Sequence, residues 1–540
     1  MESAGEILVL PFYGQGHLFP SMELCTHLAS RNYNTTLIIP SYLASSVPHS
    51  LRTHPSVVVV DIPADPSDLQ PPPPKIAATS SDDGSGRGRG RGRGGMNRFE
   101  TQHQQLGNGI ETYLKTRSKE PGYEVPKCVV VDVMMSWSKE LFREFGVQIA
   151  TFFTSGACAE AMDYACWKAG VAEMKPGDTR VLPGLPEDMA LAYSDLDKKP
   201  RMGAGGGGGG GRGRGRGLHG PPDGDRMRHG PPDGDRMRHG PPDGDRMRHG
   251  PPGPGQRPMW LNEIEGTTAM LINTCDELEH DFIEYIGTQT GKPVWGVGPL
   301  LPEEYWKSAG SVIRDGKIRS SGRKSNYTEE EVIQWLDGKS GKSVIYISFG
   351  SEVGPSGEEY EQLTTALQES DWSFIWVIQS NSGKPGRLLG IQNDQEGGYY
   401  PDGLKEKVGD RGLIIQGWAP QLLILSHPST GGFLSHCGWN STVEAIGCGV
   451  PFLAWPMRGD QYHNAKLIVS HLKVGCKLSN GGSSKAVKKE DIADGINTLM
   501  SDEEIHKQAA MIRGGFKSGF PASSVSALDA FVDFIKKNTS

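Results

Sequence analysis

Residues 418–461 read WAPQLLILSHPSTGGFLSHCGWNSTVEAIGCGVPFLAWPMRGDQ, from Trp418 to Gln461, and this stretch decides the fold. Gly431 and Gly432 break the chain, and Phe433-Leu434-Ser435 follows as a short buried strand. His436, Cys437, Gly438, Trp439, Asn440 and Ser441 then lead into a helical pattern through Val443, Glu444 and Ala445. A loop feeding a helix start presents unpaired backbone N–H groups and the positive end of the helix dipole, which suits a diphosphate. His436 can add a side-chain donor to the phosphate. Glu444, one turn inside the helix, is placed for ribose hydroxyls. Trp418 offers a flat face on which a base can stack, an interaction worth roughly 1–3 kcal/mol. Asp460 and Gln461 supply an acceptor and an amide for sugar hydroxyls. Any one of these residues could be buried for packing alone; their occurrence together points to a nucleotide-sugar site.

Outward from this unit, strand and helix signals alternate as in a doubly wound α/β protein. Ile7–Phe12 reads as a first buried strand, and Leu18–Arg31 as the helix after it. Further strands are expected at Thr35–Ile39, Val57–Asp61, Cys128–Asp132, Ile149–Phe153, Ala269–Asn273 and Val294–Val297. A second set is expected at Val344–Ser348, Phe374–Ile378, Leu413–Gln416, Gly432–Ser435 and Pro451–Trp455. The division is an N-terminal domain over 1–299, a linker over 300–325, a C-terminal domain over 326–520, and an amphipathic tail helix in 521–540 packing back toward the N-terminal domain. Two low-complexity inserts interrupt the first domain: an Arg-Gly tract over 84–95, and 203–258, which runs from polyglycine into three copies of GPPDGDRMRH. Gly dominates both, with Arg in the first and Pro in the second, and apolar side chains are nearly absent, so neither can bury a core and both are expected to be disordered surface loops.

The chain has 540 residues, enough for two ordinary domains, and a net charge of −8, which gives no general attraction to nucleic acid or anionic membrane. The eight cysteines are scattered without CxxC pairs or zinc spacing, as buried thiols of a reducing compartment would be. The start, MESAGEILVLPF, enters a strand directly without the basic and apolar regions of a signal peptide, and no apolar run is long enough to span a membrane. These features point to the cytoplasm. A competing reading uses the arginines of the two Arg-Gly runs (Arg87, Arg89, Arg91, Arg93, Arg212, Arg214 and Arg216) to bind RNA, against the acidic balance of the whole chain.

His17 follows the first strand in Gly14-Gln15-Gly16-His17-Leu18-Phe19-Pro20, where the glycines permit a tight turn at the strand's carboxyl end. Histidine is the commonest side chain for removing a proton near neutral pH, although a lone histidine is more often structural. Asp132 closes the strand Cys128–Asp132, where a helix-capping role is equally open.

The 418–461 stretch resembles, nearly position for position, the signature box of plant family 1 UDP-glycosyltransferases, and the likeness extends over the chain apart from the two inserts. The resemblance implies the GT-B architecture, two Rossmann-like domains facing across a cleft. It implies a catalytic pair of His17 as general base and Asp132 as its orienting carboxylate. It also implies a donor site of Thr154, Ser351, Trp418, Ala419, Gln421, His436, Trp439, Asn440, Ser441, Glu444, Asp460 and Gln461, with Thr154 touching the sugar and Ser351 the phosphate. No metal or other cofactor is implied, and the Asp-Gly-Asp triplets at Asp223/Asp225, Asp233/Asp235 and Asp243/Asp245 are accidental likenesses to a metal-binding motif of another fold. Gln461 at the end of the box goes with glucose in this family, and Trp439 goes against glucuronic acid. The implied reaction is inverting transfer of glucose from UDP-glucose to a hydroxyl of a small lipophilic acceptor such as a flavonoid, with C-glycosylation of a phenol ring open to the same base. Neither a nucleic-acid partner nor membrane insertion is expected, and a monomer is favoured. One departure is Gln379, where the family commonly has a basic residue.

Overall fold

Runs of Val, Ile and Leu without alternation belong to parallel strands covered on both faces. The computed structural model of the chain builds two parallel sheets from them. The residues described are 3–64, 96–196, 254–308, 311–318, 324–351, 353–379, 398–481 and 483–538. In the N-terminal domain the strands are β1 (Glu6–Leu10), β2 (Asn34–Pro40), β3 (Val57–Ile62), β4 (Cys128–Asp132) and β5 (Gln148–Phe153). A small antiparallel pair follows, β6 (Thr179–Arg180) with β7 (Leu191–Ala192), then β8 (Ala269–Ile272) and β9 (Val294–Gly296). The C-terminal domain has β10 (Val344–Ser348), β11 (Ser373–Ile378), β12 (Gly412–Gln416), β13 (Thr430–Ser435), β14 (Phe452–Ala454) and β15 (Gly475–Lys477).

The first sheet runs β3-β2-β1-β4-β5-β8-β9 and the second β12-β11-β10-β13-β14-β15. In each, the strand order reverses once: between β1 and β4, and between β10 and β13. At such a reversal the helices leave to opposite faces and open a crevice at the strands' carboxyl ends, the general ligand position of open α/β sheets. The pairing there is in register, Leu10 beside Val131 and Ser348 beside Ser435, so the loops leaving each pair start level with one another.

Both faces of the first sheet carry core. Ile7 and Val9 pack with Leu18, Leu24 and Leu28, whereas Leu8 and Leu10 pack with Val129, Val131, Leu106, Ile110 and Leu114. The tail helix Ala522–Asn538 places Leu528, Phe531, Val532 and Ile535 in the first of these clusters, and Arg31 pairs with Asp529 at 2.7 Å. The final helix of the chain thus lies on the N-terminal domain.

Three sequence expectations change. The first helix begins at Gln15, not Leu18, so His17 lies inside its first turn. The stretch expected to be a polar linker contains the helices Glu303–Lys307 and Asp315–Ile318, and Leu300, Leu301, Tyr305, Trp306 and Ile313 are buried. Its apolar residues are spaced too widely to read as a periodic element, and they fasten to the C-terminal domain through Tyr305 Oη donating to Glu444 O at 3.1 Å. Residues 254–258, read as the end of the second insert, are part of the folded domain, with Gly255 lying against Val171 and Ala172. The rest of that insert and the 84–95 tract, with the Asp-Gly-Asp triplets, lie outside the described residues. All eight cysteines are free, and seven are buried. Among the described residues no helix is long and apolar enough to cross a membrane.

Candidate active site

The two reversals bring four loops together, and the first of them holds the candidate base. Gly14 N-caps the helix Gln15–Ala29, and His17 in its first turn directs Nδ1 to Asp132 Oδ2 at 2.7 Å. Asp132, fully buried at its side chain, also accepts from Met134 N through Oδ1 at 2.9 Å. The capping role and the histidine-orienting role open in the sequence are therefore filled together, one by each carboxylate oxygen. With the Nδ1 proton on the Asp132 side, Nε2 carries the lone pair that a base needs. The His17 side chain keeps 22% of its surface exposed, enough to meet a substrate. Thr154, at the end of β5, brings Oγ1 within 2.9 Å of the same Nδ1. Its hydroxyl thus meets the histidine, at the position where the resemblance implies a contact with the sugar.

Pro20 gives this turn a second property. A proline has no N–H, so Gly16 O lacks the usual donor four residues on. Asn440 Nδ2 from the C-terminal domain takes that carbonyl at 2.9 Å. The neighbouring Trp439, 4% exposed, donates its indole N–H to Asn273 O at 2.7 Å and fills the space over Gly156. The side chains of these two residues, both expected at the donor, also tie the domains together. What they leave for an anion is backbone: the helix Trp439–Cys448 has no side-chain cap at Gly438, so its first N–H groups are not taken by a capping side chain.

His436 precedes that helix at the end of β13. Its ring is enclosed between two glycines: a Cβ at Gly350 would sit 2.7 Å from Nε2, and one at Gly438 2.5 Å from it. Nδ1 is buried without a hydrogen-bond partner. Burial holds its pKa down at about 4, so the ring is neutral at pH 7 and can offer one N–H to a phosphate oxygen. Cys437 adopts φ 63°, a left-handed turn that is held by Asn464 Nδ2 donating to Cys437 O at 3.0 Å. Ser351 lies on the exposed turn after β10.

A polar cluster stands beside the helix start. Gln421 accepts from Tyr346 Oη at 3.0 Å and donates through Nε2 to Ser441 Oγ at 3.0 Å and Glu444 Oε2 at 2.7 Å. Trp418 is half-buried and Ala419 buried; Trp418 N donates to Lys324 O at 3.0 Å. Gln379 Nε2 holds the preceding Gly417 O at 3.1 Å, which gives the departure at that position a local role in fixing the Trp418 turn.

Asp460 precedes the helix Gln461–Lys466. Its Oδ2 accepts from Asn464 Nδ2 at 2.9 Å, and burial raises its pKa, offset in part by that bond and by the charges of Arg458 and His17. Gln461 Oε1 accepts from Met457 N at 2.9 Å and Arg458 N at 3.0 Å, so its amide nitrogen is the part left to meet a hydroxyl. Asn464 and Asn273, which the sequence reading did not assign, organise this arrangement. The one available signal was the four-residue spacing of Asp460 and Asn464, which places both on one helix face.

Two facing Rossmann-like domains, with a histidine–aspartate pair at one switch point and an uncapped helix start at the other, define a GT-B protein. Residues 312–534 match the family described as UDP-glucoronosyl and UDP-glucosyl transferase. The chain is 36% identical over 249 residues to UDP-glycosyltransferase 73B4 of Arabidopsis thaliana, covering 46% of each. It is 34% identical over 257 residues to the anthocyanin 3'-O-beta-glucosyltransferase of Gentiana triflora, covering 46% of this chain and 50% of that one. The chain thus spans about half the length of these curated relatives. The crystal structure of UGT73P12 from Glycyrrhiza uralensis matches with a TM-score of 0.70 at 22% identity, over 99% of this chain and 96% of that one. Residues 312–534, most of the C-terminal domain, thus match the UDP-glycosyltransferase family, and the structural likeness extends the GT-B fold over the whole chain.

Proposed function

We propose that this chain transfers a glucosyl group from UDP-glucose to a hydroxyl of a small planar phenolic, with inversion at the anomeric carbon, in the cytoplasm. The observation that carries the reading is the His17–Asp132 contact of 2.7 Å at the end of β1 and β4, tied by Asn440 to the helix that starts beside His436. In the reaction the acceptor O–H proton moves to His17 Nε2, and the freed oxygen bonds the anomeric carbon. The bond from that carbon to the diphosphate breaks, and UDP leaves with the electron pair. Asp132 stabilises the imidazolium that forms. The negative charge growing on the diphosphate meets His436 N–H and the N–H groups at the start of Trp439–Cys448. Donors fixed in place before charge develops are commonly the largest electrostatic contribution to catalysis. Gln421, Ser441 and Glu444 suit the ribose, Trp418 the base, and Asp460 and Gln461 the sugar.

An aromatic acceptor is supported by the wall beside the base. Phe12 meets His17 edge-on with ring centres 5.2 Å apart and Tyr13 at 4.8 Å, while His103 stacks on Trp137 at 4.7 Å. Met134 stands exposed next to them, and a phenolic acceptor also accords with the anthocyanin named for the Gentiana relative. The test is incubation of the purified chain with UDP-glucose and a panel of phenolics, with product masses and anomeric configuration read out. His17→Ala should lower turnover by about 10²–10⁴-fold while UDP affinity is retained. Wild-type rates from that variant on an unactivated phenol would overturn the assignment of the base.

A further inference from the structure

Glu160 occupies the first turn of the helix Ala157–Lys168, six residues beyond Thr154. It is not that helix's cap: Glu279 already takes the N–H groups of Ala157 and Cys158, both at 2.8 Å. Ser155, next to Thr154, donates its hydroxyl to Glu160 Oε1 at 2.8 Å, and Glu160 Oε2 is buried without a hydrogen-bond partner. A buried polar atom left unpaired in a native fold calls for an explanation. The same helix meets the C-terminal domain just past Gln461, through Asp163 with His463 Nε2 at 3.0 Å and Cys158 Sγ with His463 O at 3.8 Å. Glu160 therefore lies between the loop that supports the base and the Asp460–Gln461 turn.

We propose that Glu160 is a donor-specificity residue, its carboxyl hydrogen-bonding a hydroxyl of the transferred sugar from the side opposite Asp460 and disfavouring a uronic-acid sugar. This rests on the glycosyl-transfer reading above. Burial, with Asp460 and Asp163 nearby, pushes the Glu160 carboxyl well above the usual carboxylate range. A protonated carboxyl both donates and accepts, which matches a sugar hydroxyl. A uronate would bring a negative charge to a place where burial and the neighbouring Asp460 and Asp163 already disfavour one, an arrangement that discriminates against it.

The test compares wild type, Glu160→Gln and Glu160→Leu in kcat/KM with UDP-glucose and UDP-glucuronate, and in calorimetric Kd for UDP and for UDP-glucose. Glu160→Leu should lower kcat/KM for UDP-glucose by about five- to tenfold, the scale of one hydrogen bond, and reduce the extra affinity that the sugar adds to UDP. Glu160→Gln, neutral as the protonated carboxyl is and able both to donate and to accept, should stay within about twofold of wild type on UDP-glucose and keep its donor ratio. Affinity for UDP alone should be unchanged in both. Wild-type donor ratios and an unchanged sugar increment in both variants would overturn this inference alone. Loss of UDP affinity in step with transfer in both variants would assign Glu160 to packing and overturn it likewise. A wild-type chain that neither binds nor turns over any UDP-sugar would overturn the functional reading, and this inference with it.

Discussion

At the scale of single residues, the site works by restricting what each side chain can do. His17 Nδ1 faces both Asp132 and Thr154, so one ring nitrogen is committed to the protein and the other to chemistry. Asp132→Asn should keep the ring in place yet present an amide where a carboxylate stood, and the tautomer and the imidazolium both lose their support. A fall in kcat of at least about 100-fold, with KM for UDP-glucose little changed, is the expected steady-state result. His436 shows a different restriction. Its pKa, like that of His27 stacked on Phe520, is depressed to about 4 by burial. A histidine whose folded pKa lies below its unfolded value of 6.5 contributes stability that is complete above 6.5 and is lost as pH falls toward 4, because only the unfolded chain takes the proton. For His436 the full difference is on the order of 3 kcal/mol. The melting temperature should therefore drop between those two values of pH, and His436→Gln should flatten part of the drop. A melting profile identical in wild type and variant would show that His436 is not held neutral.

At the scale of elements, the reading of the sequence was strongest where strands are continuous apolar runs, and weakest where an element is defined by its partner. The runs Cys128–Asp132 and Val344–Ser348 coincide with β4 and β10, because each is a continuous apolar run that ends in a polar residue at the crevice. The three-residue β15 and the two-residue pair β6 and β7 carry no periodicity of their own and exist through pairing. The 22-residue helix Met96–Arg117 was not anticipated, since it adjoins the Arg-Gly tract and has Gly107 and Gly109 inside it. Of the site, the residue types at the crevice were legible, while the ties were not: nothing in the sequence links Asn440 to Gly16 or Trp439 to Asn273. The Pro20 turn offers a direct test of one tie. Pro20→Ala restores an N–H that can bond Gly16 O within the helix and compete with Asn440 Nδ2. Thermal stability should rise slightly or hold, while KM for UDP-glucose rises several-fold, a split that a simple folding defect would not give. Equal KM in both proteins would show that the tie is dispensable.

At the scale of the whole molecule, the ties made by Trp439 and Asn440 are joined by polar contacts from a second segment of the C-terminal domain, His463 to His471. Besides His463 with Asp163, Lys466 Nζ meets Asp195 Oδ2 at 3.1 Å, and His471 Nδ1 meets Asp188 Oδ1 at 3.1 Å. His471 ends a π-helical turn, Leu467–His471, and the extra residue of such a turn redirects the side chains after it. These contacts also bear on the second low-complexity insert, because Asp195 stands just before its start. Asp195 is fixed by Lys466 and by accepting Ala192 N at 3.1 Å, and on the far side Gly255 fits where a Cβ would lie 2.7 Å from Ala172 N. Both ends of the segment 197–253 are thus fastened to the folded domain by contacts of their own. Its composition, dominated by Gly and Pro, offers little apolar surface to add to a core. The cost of closing a loop changes by only about 0.6 kcal/mol per doubling of length. Replacing residues 197–253 by a short Gly-Ser linker should therefore shift the melting temperature by less than about 2 °C and leave UDP affinity unchanged. The acceptor profile is the property expected to move, since the segment belongs to the domain that carries Phe12, Tyr13 and Trp137. Calorimetry of the shortened chain decides the matter: a loss of 5 °C or more, on the order of 2 kcal/mol, would mean that the segment is folded onto the domain and contributes to its core.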